Sequence, residues 1–191
     1  MLAYVFWHWR RATVTVMEYE RLQREFHGAL GAAPSPGFAR SFSVALSGAP
    51  WANGAGDAYE DWYLVRDSAA LDPLNDAAVT ASRRVPHDAA AAAAAGGTAG
   101  LYRVRLGEAL PVPRLAYWFA KPDGMSYDRL WELCTPLVRE GLGALWIRHM
   151  VLGPSPEFCL HTVADTRLPS GISSLSLALR AVWSGASDRP T

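Results

Sequence analysis

The feature that most constrains this chain is a stretch that occurs twice. Leu2 to Phe42 reads as a strand, an amphipathic helix and a strand, and Leu115 to Met150 reads the same way. The first strands open alike, Leu2-Ala3-Tyr4-Val5-Phe6 against Leu115-Ala116-Tyr117-Trp118-Phe119. An offset of 108 then carries Tyr19, Arg21 and Leu22 onto Tyr127, Arg129 and Leu130, and Arg40 onto Arg148. Positions 19, 22, 26, 29 and 30 fall on 127, 130, 134, 137 and 138, the spacing of one helix face. Such a pattern points to an internal duplication in which each copy buries equivalent faces.

Alternation in Ala3 to Arg10 puts Tyr4, Phe6 and His8 on one face and Val5, Trp7 and Trp9 on the other, so both faces of this strand are covered. Thr15 with Glu18 forms a capping box for a helix running to about Ala33, before Pro34-Ser35-Pro36-Gly37. Phe38 to Leu46 is a second strand, with Phe38, Arg40, Phe42 and Val44 on one face, and Tyr59 to Arg66 a third. Asp72 to Ala95 reads as helix broken at Pro86, ending in an alanine run with high helix propensity and little side chain to pack. Gly96-Gly97 reads as a connector to a fourth strand, Leu101 to Leu106. The order strand, helix, strand, strand, helix, strand is the ferredoxin-like split unit.

After the linker Gly107 to Pro113, the second copy offers a strand from Arg114 to Lys121 and a helix capped by Ser126 that runs from Tyr127 to about Gly141. Leu145 to Leu152, Glu157 to Val163 and Ser174 to Trp183 read as further strands. Ala164 to Gly171 is too short for a second helix, and Ser184 to Thr191 is expected to fray. The expected fold is therefore α+β. Two tandem ferredoxin-like units, residues 1–107 and 114–184, pack their antiparallel sheets into one α+β barrel, and the second unit lacks its second helix. Open sheet edges must be paired, so edge strands should continue into one another. The barrel interior, lined by alternate strand residues, is the place where a site is expected.

Composition narrows the partners. The 18 basic and 18 acidic residues of this 191-residue chain balance, which excludes the charge signature of nucleic-acid or anionic-membrane binding. Without an apolar run of about 18 residues, the expectation is a soluble, cytoplasmic protein. Because both halves of a barrel are already in one chain, a monomer is expected, with a dimer open through any exposed edge. Eight Trp, seven Tyr and six Phe supply either a core or an apolar pocket. Cys134 and Cys159 lack disulfide or zinc spacing, and His149, Cys159 and His161 lack a completing ligand, so no metal is expected. Nucleophile, phosphate-loop and dinucleotide motifs are absent, and no cofactor is expected.

Four residues carry candidate chemistry. His27, at the edge of a buried helix face, and His8, on the first strand, are candidate proton carriers near neutral pH. Arg40 and Arg148 stand at equivalent strand positions on otherwise apolar faces and each needs a carboxylate, a carbonyl cluster or an anionic ligand, an internal ion pair being the first expectation. Glu60 and Asp61 supply at most one inward carboxylate, free to accept a proton or to pair with Arg40. Simple pairing across Gly153-Pro154-Ser155-Pro156 places His161 opposite Arg148.

The strand ending in His8-Trp9-Arg10-Arg11, followed by Glu18-Tyr19-x-x-Leu22 and Glu25-Phe26-His27-Gly28-Ala29-Leu30, resembles the EthD-type branch of the dimeric α+β barrel superfamily. In that branch a basic strand end precedes a helix finishing in His-x-Pro-Leu. Here the motif is divided between the copies: Ala29 stands at the proline position of the first, and Thr135 at the histidine position of Cys134-Thr135-Pro136-Leu137 in the second. The resemblance covers about forty residues of each copy. It implies a single-chain version of a barrel that relatives assemble from two chains, in a superfamily holding cofactor-free monooxygenases, polyketide cyclases and dehydratases, haem-handling enzymes and proteins without known activity.

Two readings follow. In the first, a hydrophobic, aromatic or polyketide-like small molecule lies inside the barrel against Tyr4, Phe6, Tyr117, Phe119 and His161, with Arg40 or Arg148 steadying an anion and His27 or His8 moving a proton. In the second, the barrel is a non-catalytic ligand-binding or scaffold protein. A filled interior would exclude the first arrangement.

Overall fold

A computed structural model describes residues 1–185; residues 186–191, most of the tail expected to fray, lie outside the described residues. The elements run β1 (Leu2–Arg10), α1 (Val16–Ala32), β2 (Phe38–Leu46), β3 (Ala58–Val65), α2 (Leu71–Ala78), α3 (Ala81–Ala93), β4 (Ala94–Gly107), β5 (Leu115–Phe119), α4 (Tyr127–Cys134), β6 (Gly143–Arg148), β7 (Phe158–Thr162), β8 (Ser174–Ala178) and β9 (Arg180–Trp183). Side-chain oxygens of Thr15 and Ser126 accept the backbone N–H of Glu18 and Arg129, capping α1 and α4 as their sequence predicts. After α4, Pro136 takes the chain into a 3₁₀ segment, Thr135–Gly141.

One antiparallel sheet joins all the strands in the order β8-β5-β7-β6-β4-β1-β3-β2-β9. Its outermost members, β8 and β9, are separated only by Leu179. They are two halves of one strand, the first paired with β5 and the second with β2, so the sheet closes on itself. The 14-residue β4 does the same on the other side, pairing β1 with its first part and β6 with its second. Each unit thus has the ferredoxin-like strand order, β4-β1-β3-β2 and β8-β5-β7-β6, and edge strands protect each other. No helix forms between β7 and β8. Among the described residues no helix is long and apolar enough to cross a membrane.

Three local expectations are corrected. Pro86 sits inside α3, and the break between α2 and α3 falls at Val79–Thr80 instead; Pro86 lies near the helix start and removes a single intrahelical bond there. Arg83 secures the break by donating to the carbonyls of Ala77 and Ala33. The fourth strand begins at Ala94, so Gly96 and Gly97 are strand residues. A side chain at Gly97 would come within 2.4 Å of Phe6, and one at Gly96 within 2.6 Å of Trp9; these glycines let the rings of β1 lie across β4. Finally, β7 is shifted against the expected pairing: His161 faces Ala144, and the Arg148 N–H reaches Glu157 O. A connection of nine residues between β6 and β7, not a tight turn around Gly153, sets this register.

The alternation read from β1 decides where the core sits. Trp7, Phe42, Trp62, Tyr102, Trp118 and Trp146 fill the barrel interior and are essentially inaccessible to solvent. Each such side chain contributes roughly 2–3 kcal/mol through burial, and their interdigitation leaves the barrel packed. On the outside, α1, α2 and α3 cover the sheet of the first unit, and α4 with its 3₁₀ extension covers that of the second.

Candidate functional site

The filled barrel overturns the expectation of a site inside it. A cavity of about 540 Å³ lies on the outer face of the first unit, between the sheet and helices α1–α3. That volume is in the range of small-molecule sites. Its walls are Tyr4, Phe6, Phe26, Leu30, Leu71 and Leu74, with His8, Tyr19, Asp61 and Tyr63 as a polar floor. Room for it comes from the alanine run. Ala90 and Ala91 of α3 line the cavity together with His87, as does Ala94 at the start of β4, and the spacing 87, 90, 91 is one face of a helix.

Asp61 is the centre of the floor. It lies on β3 opposite Phe6 of β1 and Ser43 of β2, and only 1% of it is exposed. Its Oδ2 stands 3.1 Å from His8 Nε2 and 3.2 Å from His27 Nε2, and it accepts the Tyr63 hydroxyl at 2.9 Å. The two imidazoles approach the same oxygen obliquely, without a fully aligned N–H···O bond, and Oδ1 has no partner among the described residues. On their other side, His8 Nδ1 meets the Tyr19 hydroxyl at 2.6 Å and His27 Nδ1 meets Ser41 Oγ at 2.7 Å. With Nε2–H directed towards the carboxylate, each Nδ1 is left to accept a hydroxyl proton. The result is a buried chain, Tyr19–His8–Asp61–His27–Ser41.

Electrostatics follow from the burial. Desolvation alone would raise the Asp61 carboxyl, but the facing His8 and His27 outweigh it and hold the group well below the usual carboxylate range. Tyr63 is pushed well above the ordinary phenol value by burial and by the Asp61 charge, and Tyr19 is raised for the same reasons. Asp61 is therefore a fixed negative charge beneath a largely apolar cavity, flanked by hydroxyls that keep their protons. Among the described residues no group of three or more His, Cys, Asp or Glu side chains is placed to hold a metal ion.

The structure sorts the residues singled out from sequence. His8, Tyr4 and Phe6 line the cavity; His27 lies behind the floor, joined to it through Asp61. Among the described residues Arg40 has no ion-pair partner; it donates to the carbonyls of Pro111 at 2.9 Å and Ala109 at 2.8 Å, and to that of Leu110, tying β2 to the linker. Arg148 likewise donates to Ser155 O at 2.6 Å. Tyr117 and Phe119 belong to the core of the second unit, Tyr117 donating to Asp165 at 2.7 Å. His161 is inside the barrel, packed edge-on against Trp62, with Nε2 4.0 Å from Glu60; burial pushes it down to about 3. Glu60 is the inward carboxylate. Trp7 donates to it at 2.6 Å, as does Trp62, yet desolvation outweighs both and raises it to about 7.

Tyr19, Tyr63 and His87 were not among the sequence candidates for the site, and Asp61 was named only as one of two carboxylates of which at most one points inward. Alternation carried a signal for both Asp61 and Tyr63, which share a face of β3 that must meet the Tyr4–Phe6–His8 face of β1.

No protein-family model and no curated protein matches the sequence. Solved structures do match the fold. One, described as a candidate monooxygenase from Fusobacterium nucleatum subsp. nucleatum, superimposes with a TM-score of 0.66 at 10% identity, covering 95% of this chain and 92% of that one. Another candidate monooxygenase, from Lactobacillus acidophilus, gives 0.56 at 11%, covering 95% and 94%. A candidate chlorite dismutase gives 0.52 at 12%, covering 97% of both chains. At these identities the likeness is one of fold, and the chain shares with these proteins the α+β barrel.

Proposed function

We propose that the protein binds a hydrophobic, aromatic or polyketide-like small molecule between the sheet and helices of its first unit, and moves a proton at the floor of that pocket without a cofactor. One observation carries this reading: a buried, ionised Asp61, shared by His8, His27 and Tyr63, underlies a cavity whose walls are largely apolar. A polar network of this kind is costly in a core, and it faces a wall where the packing leaves space.

The relay runs from Tyr19 through His8 to Asp61. A ligand proton passes to the Tyr19 oxygen as the Tyr19 proton passes to His8 Nδ1, and the imidazolium so formed is stabilised by Asp61 at 3.1 Å. The ligand is left as an enolate or phenolate. Such an anion is the common first intermediate for cofactor-independent monooxygenation, cyclisation and dehydration, and the likeness to proteins described as candidate monooxygenases supports that range. Ancestry in the EthD-type branch, by fusion of two copies with units at 1–107 and 114–184, is part of the same proposal. It is supported by the repeated strand order and by the place of His27 against Asp61.

The test uses 2-tetralone, a bicyclic aromatic ketone with acidic C–H bonds, incubated with the protein in D2O and followed by mass spectrometry. The expected result is a stable complex in native mass spectrometry and accelerated deuterium uptake at the carbons beside the carbonyl. His8→Gln should slow that uptake on the order of a hundredfold. Uptake at the uncatalysed rate, or undiminished uptake in His8→Gln, would reject the proposal.

A further inference from the structure

His87 faces the pocket from the side opposite its floor, and the network around Asp61 does not use it. It lies on α3 with Ala90 and Ala91, which also line the cavity, and its ring packs edge-on against Phe26 of α1 at 5.3 Å. Its Nδ1 is 3.0 Å from Asp88 Oδ1. That contact uses up one nitrogen and leaves Nε2 as the atom available to a ligand. The side chain is about a third exposed, so it exchanges protons with solvent, whereas His8 is sealed in. The charged groups around His87 are Asp88 beside it, Arg84 one turn earlier and 3.6 Å from Asp88, and Asp72 of α2 across the mouth of the cavity. None of the residues lining this pocket is Lys or Arg, so no fixed cation is available there to neutralise an oxyanion.

Resting on the reading of this pocket as the active site, we propose that His87 is a second catalytic residue, positioned by Asp88, which protonates the carbonyl oxygen of the bound ligand while the Tyr19–His8–Asp61 relay removes the proton from the adjacent carbon. The step is an enolisation. The C–H bond breaks and its electron pair forms the new C=C bond; the carbonyl π pair takes the proton from His87 Nε2, giving O–H. One proton enters the protein at Tyr19 and one leaves from His87, so no oxidant or reductant is consumed. The ligand class this specifies is an apolar ketone with at least one acidic hydrogen beside the carbonyl. The two histidines play opposite parts, and solvent restores His87 directly.

The experiment measures deuterium uptake into 2-tetralone against pH for the wild type, His87→Ala, His87→Gln and Asp88→Asn, with folding checked by circular dichroism. The wild type should give a bell-shaped profile. His87→Ala should slow uptake tenfold or more and remove the alkaline fall, and added imidazole should restore a large part of the rate. His87→Gln should show the same loss without rescue, and Asp88→Asn, which loosens the ring it positions, should slow uptake less than either His87 variant. Wild-type rate and profile in both His87 variants would overturn the role of His87 while leaving the floor relay standing. Absence of catalysed uptake in the wild type would overturn the reading of the pocket, and this inference with it.

Discussion

The two units have the same strand order and opposite interiors beneath their helices. Register makes the comparison direct: Tyr4 and Phe6 of β1 correspond to Tyr117 and Phe119 of β5, and their partners Tyr63 and Asp61 on β3 correspond to Leu160 and Phe158 on β7. In the first unit the central position is a carboxylate holding two histidines and a tyrosine. In the second it is a phenyl ring packed against Phe119, Tyr127 and Trp131. The helices differ in the same sense. Alanine-rich α3 holds space open over the first sheet, whereas the irregular segment after β7 presses Leu168 and Ile172 onto the second. Similar local geometry therefore carries a polar pocket on one side and a closed core on the other. The pocket is a product of side-chain choice at a few positions, not of the barrel itself.

Substitutions that exchange these choices have graded effects. The largest is expected for Phe158→Asp, which removes a core ring and buries a charge with no histidine to meet it. A loss of roughly 4 kcal/mol or more should appear in urea unfolding. Asp61→Ala leaves two imidazoles and a tyrosine without their acceptor and should cost roughly 3 kcal/mol. Because Asp61 is depressed in the folded state, its contribution is present above its unfolded value of about 4 and is lost as pH falls through the folded value. The deficit of Asp61→Ala should therefore shrink in acid.

A smaller effect tests the interior to which both units contribute. Glu60, raised to about 7, favours folding fully below its unfolded value of about 4.5, and that contribution is lost as pH rises towards 7. His161, lowered to about 3, acts in the opposite sense: its contribution is present above about 6.5 and is lost as pH falls. In Glu60→Gln the first term disappears. Its stability relative to wild type should rise between about pH 4.5 and 7 and then level off. The smallest effect on stability belongs to Ala90→Leu, within about 1 kcal/mol, yet by filling the cavity it should weaken 2-tetralone binding at least tenfold in native mass spectrometry titrations.

Much of the fold was legible because strand alternation and helix caps are local. The two faces of β1, the caps Thr15 and Ser126, the missing helix of the second unit and the continuation of edge strands all follow from short stretches. What alternation does not state is which face encloses the barrel. Glu60 and Asp61 are neighbours with opposite fates, one sealed among tryptophans and the other beneath the pocket, and the chain alone assigns neither. Gly96-Gly97 looked like a connector because the rings that require those glycines, Phe6 and Trp9, lie on another strand. Arg40 and Arg148 looked like partners in internal ion pairs, or else ligands for an anion; they donate to backbone carbonyls of the linker and of the β6–β7 connection, positions that the closed barrel brings within reach. His87 went unnoticed beside Pro86, although its helical spacing to Ala90 and Ala91 marks the wall it belongs to.

Which face holds the ligand is decided most directly by nuclear magnetic resonance, since five histidines and eight tryptophans give separable side-chain signals. Titration with 2-tetralone should move the imidazole resonances of His8, His27 and His87 and leave the indole N–H signals of Trp62, Trp118 and Trp146 in place. Shifts confined to those indoles, or to the Phe119–Phe158 core of the second unit, would contradict the account.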